Sequence, residues 1–253
     1  MKFSSSHYLN AAAVASFLSI ALASRADTVS FAIDSANSSL TISGAAFGLA
    51  YTQQSAGSLV DSFGGTLLAD LTGGVLTFSG GSSIIALTNS HGPFNTAPNP
   101  IGSEAGNFGV QANGFVTGYG VANIKGSYKD IVLDLTSGTV QNGLAPTGQN
   151  INPTAGTLDY GIVLNATPFQ ASSSSIVGKG GLNVATGIAT FDGTVLTLPV
   201  QFTSPTYANR SESYTGVIVA QIVPAPEPST LALVGLGAVG FAGWTFRRSR
   251  KGC

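Results

Sequence analysis

Cysteine is absent from this chain until its last residue, Cys253. A disulfide framework and a thiolate metal centre are therefore excluded from everything before it. Histidine is nearly missing too, with only His7 and His91. A Ser-His-Asp or Cys-His arrangement in the body of the chain would have to use His91, which lies in a Pro/Gly-rich stretch, and no Gly-x-Ser-x-Gly elbow occurs. Charge is scarce: 8% of residues are charged. From Asp27 to Ile222, ten acidic side chains stand against four basic ones, a net charge of −6. Nucleic acid is not expected as a partner, because phosphate neutralisation needs clustered Lys and Arg. Sustained helical periodicity is missing over the same residues.

What is present is glycine, 33 residues of it, with Ser, Thr and Asn in most polar positions, and a pattern of period two. Val29, Phe31 and Ile33 alternate with small or polar residues, as do Leu40 and Ile42. Further strands are predicted at residues 66–71, 75–79, 83–88, 114–124, 127–136, 157–164, 174–178, 185–191, 194–203 and 213–223. The clearest run sets Leu196, Leu198, Val200 and Phe202 on one face, with Thr197, Pro199, Gln201 and Thr203 on the other. Pro199 cannot donate to a ladder, so this strand is expected at an edge or with a bulge. Asp192-Gly193 predicts a two-residue hairpin turn. Two Pro/Gly-rich stretches, His91 to Asn113 and Gly143 to Gly156, read as long loops. Short strands and tight turns together predict an all-β fold, an antiparallel sandwich or barrel.

No catalytic residue and no cofactor is assigned. A carboxylate pair of the glycosidase type needs no histidine, but Glu104, Asp159 and Glu212 have no companion at a telling spacing. Asp130 and Asp134 fall on one face of a strand and could form one side of a calcium site; exposed strand carboxylates near Lys125 and Lys129 are the plainer reading, and no metal is assigned. The aromatics Phe115, Tyr119, Tyr128, Tyr160, Tyr207 and Tyr214 could line a sugar-binding face, yet their period-two placement reads first as core and cross-strand pairs. Gly118, Gly120 and Gly126 read as close sheet packing or bulges. The sequons at Asn37, Asn165 and Asn209 read as accidents of a Ser/Thr-rich composition.

Both ends carry targeting chemistry. Lys2 precedes an apolar run from Ala11 to Ala23 that is too short for a membrane span and ends in small residues, as a secretory signal peptide does. Cleavage fits after Ala23 or after Ala26; the second is favoured because Asp27 then opens an extended segment directly. At the other end Pro226-Glu227-Pro228 precedes 18 uncharged residues, Ser229 to Phe246, then Arg247, Arg248, Arg250 and Lys251. As a helix those residues span about 27 Å, close to a hydrocarbon core of roughly 30 Å. The basic cluster favours the cytoplasmic side, which places the rest of the chain outside the cytoplasm.

Triplet, short Gly/Ala/Leu-rich span and terminal Arg cluster together resemble the PEP-CTERM sorting signal of bacterial exported proteins, over residues 223 to 253. The resemblance implies that an exosortase, a membrane protease-transpeptidase, recognises Pro226, Glu227 and Pro228 and removes the anchor as the protein moves to the surface or into exopolysaccharide. These three are then substrate residues of another enzyme. Residues 1–26 are thus expected to be a signal peptide, 27–222 an exported all-β domain, and 223–253 the sorting and anchor segment. The partners expected are the membrane through the C-terminal helix, the exosortase and exopolysaccharide. The expected protein is a non-enzymatic surface or matrix component. Two alternatives remain: a β module binding a carbohydrate or an apolar ligand, and a carboxylate-based polysaccharide hydrolase.

Overall fold

The computed structural model describes residues 27–54, 57–88, 106–207 and 209–224. Two compact units divide the chain, Met1–Ile222 and Val223–Cys253, and the architecture below is that of the first. Among the described residues there are fifteen strands and no helix: β1 (Asp27–Ile33), β2 (Ser39–Ala46), β3 (Leu49–Ala50), β4 (Thr52–Gln53), β5 (Val60–Thr72), β6 (Val75–Thr77), β7 (Ser83–Ala86) and β8 (Phe108–Val116), then β9 (Gly120–Gln141), β10 (Thr147–Leu164), β11 (Thr167–Ser175), β12 (Gly181–Leu182), β13 (Thr190–Phe191), β14 (Val195–Tyr207) and β15 (Arg210–Val223). The expectation of an antiparallel all-β fold holds.

The main path runs β11-β10-β9-β6-β5-β1-β15-β14-β13. Long strands carry short ones side by side along one edge. Thus β8, β7 and β6 follow one another along β9, starting at Phe108↔Tyr128, Ile84↔Leu133 and Thr77↔Thr139. In the same way β2 and β1 share β5, through Ser39↔Ser62 and Ala32↔Thr66. Between Gly181 and Phe191 the chain touches the strand next to each end of the path: Leu182 pairs with Asn150 on β10, while Val184 N–H donates to Gln201 O on β14 at 2.7 Å.

Period-two patterning places the core. Leu196, Leu198, Val200 and Phe202 are all buried, with Phe31, Phe63, Phe78, Phe108 and Tyr128 among their companions in the main cluster. Phe202 stacks on its register partner Tyr214, with centroids 4.8 Å apart and planes 12° apart. Pro199 sits in unbroken register with Val217, so the strand has no bulge there. Gln201, two residues on, turns its N–H and C=O away from β15 toward Asn183 and Val184. Because Pro199 has the same parity, its missing N–H also points to that outer side, and the ladder to β15 loses no donor. The strand is nevertheless not the edge strand expected from the sequence, because β13 pairs with it at Leu196 and Thr197; only its outer side at Pro199 lies beyond that short ladder.

Several boundaries differ from expectation. The predicted strand 114–124 is a hairpin, because Gly118 (φ 85°) and Gly120 (φ 95°) reverse the chain between β8 and β9. Gly126 lies within β9, where an added Cβ would meet Val110 and Leu158 at 3.1 and 3.2 Å. The second long loop is mostly strand: Thr147 to Gly156 belongs to β10, with register shifts after Pro153 and Ala155 that absorb the proline and glycine. Of the first loop, Phe108 to Asn113 is strand β8, and residues 89–105, with His91 and Glu104, lie outside the described residues. The hairpin near Asp192 forms one residue later than read: only Gly193 has positive φ (97°), and Asp192 Oδ1 accepts the N–H groups of Thr194 and Val195 at 2.8 and 2.7 Å. Of the strands predicted at 174–178 and 185–191, only Ser174 and Ser175, at the end of β11, and Thr190–Phe191 are strand.

Candidate functional site

Four hairpin tips meet at one end of the domain. They are Phe47-Gly48 between β2 and β3, residues 117–119 between β8 and β9, Asn165-Ala166 between β10 and β11, and Asn209 before β15. Of the five non-glycine residues with positive φ among those described, four stand in these tips: Phe47 (51°), Asn165 (48°), Ala166 (62°) and Asn209 (61°). Asn165-Ala166 has positive φ at both positions of a two-residue loop, Leu164 pairing with Thr167, the mirror-image turn that fits strand twist. Asn165 also ties this tip to the next, accepting Val121 N–H at 2.9 Å and donating to Tyr119 O at 3.2 Å. Gly120 makes room for it: a Cβ there would stand 2.4 Å from Asn165 Oδ1.

The tips enclose a pocket of about 240 Å³. Its floor is Ala122, Ile124 and Ile162, all buried. The half-buried side chains of Phe47, Val116 and Leu164 form its walls. Tyr119, Phe169, Gln170 and Asn209 stand exposed at its mouth. Polarity thus rises from floor to mouth, and the described lining carries no charged side chain.

Beneath the floor lies a buried polar layer. Tyr160, half-buried on β10, packs with the small cluster of Ala46, Ala112, Ala122, Ile124 and Ile162, and its hydroxyl accepts Gln170 Nε2–H at 3.1 Å. The Arg210 guanidinium sits over the Tyr160 ring, 4.2 Å from its centroid. Further in, Glu212 Oε1 accepts hydrogen bonds from the hydroxyls of Tyr128 and Tyr51. Burial, reinforced by the Glu212 charge, pushes the phenols of Tyr51, Tyr128 and Tyr214 well above the usual tyrosine range. These phenols therefore stay protonated, and those of Tyr51 and Tyr128 donate to Glu212. Nearby on the β9–β10 pair, Lys129 Nζ and Asp159 Oδ2 are 2.8 Å apart, both buried.

Candidate residues read from the sequence separate accordingly. Asp159 faces a lysine and Glu212 faces tyrosines, each in an internal polar contact. Asp130 is exposed at a bulge (φ 56°) that breaks the alternation between it and Asp134, and Asp134 accepts the N–H groups of Gly81 and Ser82 at 3.2 and 2.8 Å. Among the described residues no group of three or more His, Cys, Asp or Glu could hold a metal ion. Of the aromatics, Tyr128 and Tyr214 are core as read, Tyr119 borders the pocket, and Phe115 is exposed; the Tyr207 side chain lies outside the described residues. Phe47, Ile162 and Phe169 escaped the sequence reading, although an Asn-x pair between alternating runs, at Asn165, was a signal for the hairpin that presents Phe169. Asp27 is the first residue of β1, paired with Leu71. Ala26, Pro226, Glu227, Pro228, Arg247, Arg248, Arg250 and Lys251, and with them the predicted signal peptide and membrane helix, lie outside the described residues.

Comparison with known proteins bears on the tail. Residues 224–249 match the family profile of the PEP-CTERM protein-sorting motif. No curated protein and no solved structure matches the chain. The motif makes this a protein carrying an exosortase-type sorting signal on an all-β domain, with no other family assigned.

Proposed function

We propose that the protein is an exported, non-enzymatic surface or matrix component, delivered and then released by its two ends. Residues 1–26 direct export and are removed between Ala26 and Asp27. The span 229–246 halts translocation as a membrane helix, and Arg247, Arg248, Arg250 and Lys251 hold its end in the cytoplasm. An exosortase acts at Pro226-Glu227-Pro228, leaving the domain 27–222 at the surface or among exopolysaccharide. The sorting motif at residues 224–249 carries this reading. One further observation supports it. The carboxylates of Asp159 and Glu212 are engaged with buried partners, as structural groups are.

Removal of residues 224–253 tests the anchoring half. The full chain is expected to fractionate with cells or their matrix, and the truncated chain to appear in the medium or the periplasm. Equal retention of both forms would contradict the proposal.

A further inference from the structure

We infer that the pocket at the four hairpin tips is a binding site for a small neutral molecule with an apolar body and a hydrogen-bonding end. This inference goes beyond the sorting of the protein and does not depend on it.

The cleft has room for a small ligand. About 240 Å³ lies above Ile124 and Ile162, open to solvent at the mouth. An apolar cavity of roughly 150 Å³ takes up benzene, so this space admits one ring with a short substituent.

Polarity and charge narrow the class of ligand. Apolar floor and walls would desolvate a hydrocarbon body, while the polar residues Tyr119, Gln170 and Asn209 stand exposed at the mouth, Gln170 with its Nε2–H turned to Tyr160 and its Oε1 left to accept. A ligand with its polar groups at one end fits both. A free sugar, with hydroxyls on every side, would leave several of them unpaired against the floor. An ion would lack a counter-charge in the described lining.

Backbone strain falls at the same place. Phe47 holds φ at 51°, a region that costs a non-glycine residue about 1–2 kcal/mol. Gly or Asn would serve that turn without the same cost, yet the position carries a ring that forms a pocket wall. Strain held where a side chain shapes a cavity points to use of the cavity. Large apolar groups at the mouth agree with this: Tyr119 and Phe169 are 56% and 59% exposed.

The test is fluorine NMR of 4-fluorobenzyl alcohol with the full chain in lipid nanodiscs, empty nanodiscs giving the baseline. Saturable line broadening above that baseline is expected, and 4-fluorobenzoate, the charged analogue, should bind about tenfold more weakly. Val116→Trp, which fills the pocket, should lower affinity for the alcohol about tenfold or more. If that variant fails to melt cooperatively, the double variant Tyr119→Ala/Phe169→Ala decides, because both side chains are exposed and its melting should stay within a few degrees of the parent's. It should bind several-fold more weakly. Broadening by the parent no greater than by empty nanodiscs, equal affinity for the benzoate, or undiminished binding by whichever variant decides would overturn the inference.

Discussion

Asn183 accepts the backbone N–H of Gln201 on its Oδ1 at 2.9 Å, across the interval between the strands next to the two ends of the sheet path. Its Nδ2 donates in two directions, to Gln149 Oε1 at 2.8 Å and to Pro199 O at 3.1 Å. One buried carboxamide thus links β10 to β14. Asn183→Ala should cost at least about 2 kcal/mol, since it strands several buried polar groups at once. Urea denaturation measures this, and a loss below half a kcal/mol would mean that the segment from Gly181 to Phe191 contributes little to holding those two strands.

The Lys129–Asp159 pair gives a different pattern. Asp159→Leu alone leaves a buried ammonium facing an apolar group and should destabilise by roughly 3–5 kcal/mol. Lys129→Met with Asp159→Leu removes both charges and should recover most of the loss. Such recovery in a double-mutant cycle marks a structural pair; a double variant as unstable as the worse single one would contradict it.

Titration should separate two kinds of aspartate. Burial raises the Asp61 carboxyl above its ordinary range, even though it accepts from Ser62 N–H, Thr88 N–H and the Thr88 hydroxyl. The folded state therefore holds this proton more tightly than the unfolded one. Its stabilising contribution is complete below the unfolded value of about 3.9 and is lost as pH rises through the folded value. Asp192 is the reverse, lowered by the N–H groups of Val195 and Thr194, so its contribution is present above the unfolded value and lost as pH falls through the folded one. Against pH, the stability of the parent relative to Asp61→Asn should rise on acidification, and relative to Asp192→Asn it should fall. Slopes of the same sign would contradict these assignments.

Ala166 occupies a left-handed position (φ 62°) that glycine adopts freely. Ala166→Gly should stabilise the domain by about 1 kcal/mol or slightly less, because glycine also loses more entropy on folding. Thermal denaturation checks it; a drop in midpoint would mean that the methyl group has contacts worth more than the strain.

The fold class was legible because the body of the chain obeys one local rule. Leu196 to Thr203 alternate in sequence as they do in space, and the burial of every second residue follows from the pleat alone. Strand ends were less legible. Residues 114–124 read as continuous because Gly118 and Gly120 sit among β-type neighbours, and only their positive φ shows that they turn. Thr147 to Gly156 read as a loop because Pro153 and Gly156 are poor strand formers, yet β9 accommodates them through bulges. The polar layer and the pocket depend on which strands meet. Glu212 is 84 positions from Tyr128, and Phe47 lines a wall opposite residues more than a hundred positions away, so no spacing rule joins them. The tail was the opposite case, since a sorting signal must be read by another protein as a linear segment, and its triplet, span and basic cluster stand in order.

Processing of the tail is read from the intact mass of the protein recovered from the cell surface, as the parent and as Glu227→Ala. The parent is expected to lack residues 1–26 and everything after the Pro-Glu-Pro region, and the variant to keep Phe246 and the basic cluster. Parent material that retains Arg247 to Lys251 would contradict the account and make the tail a permanent anchor.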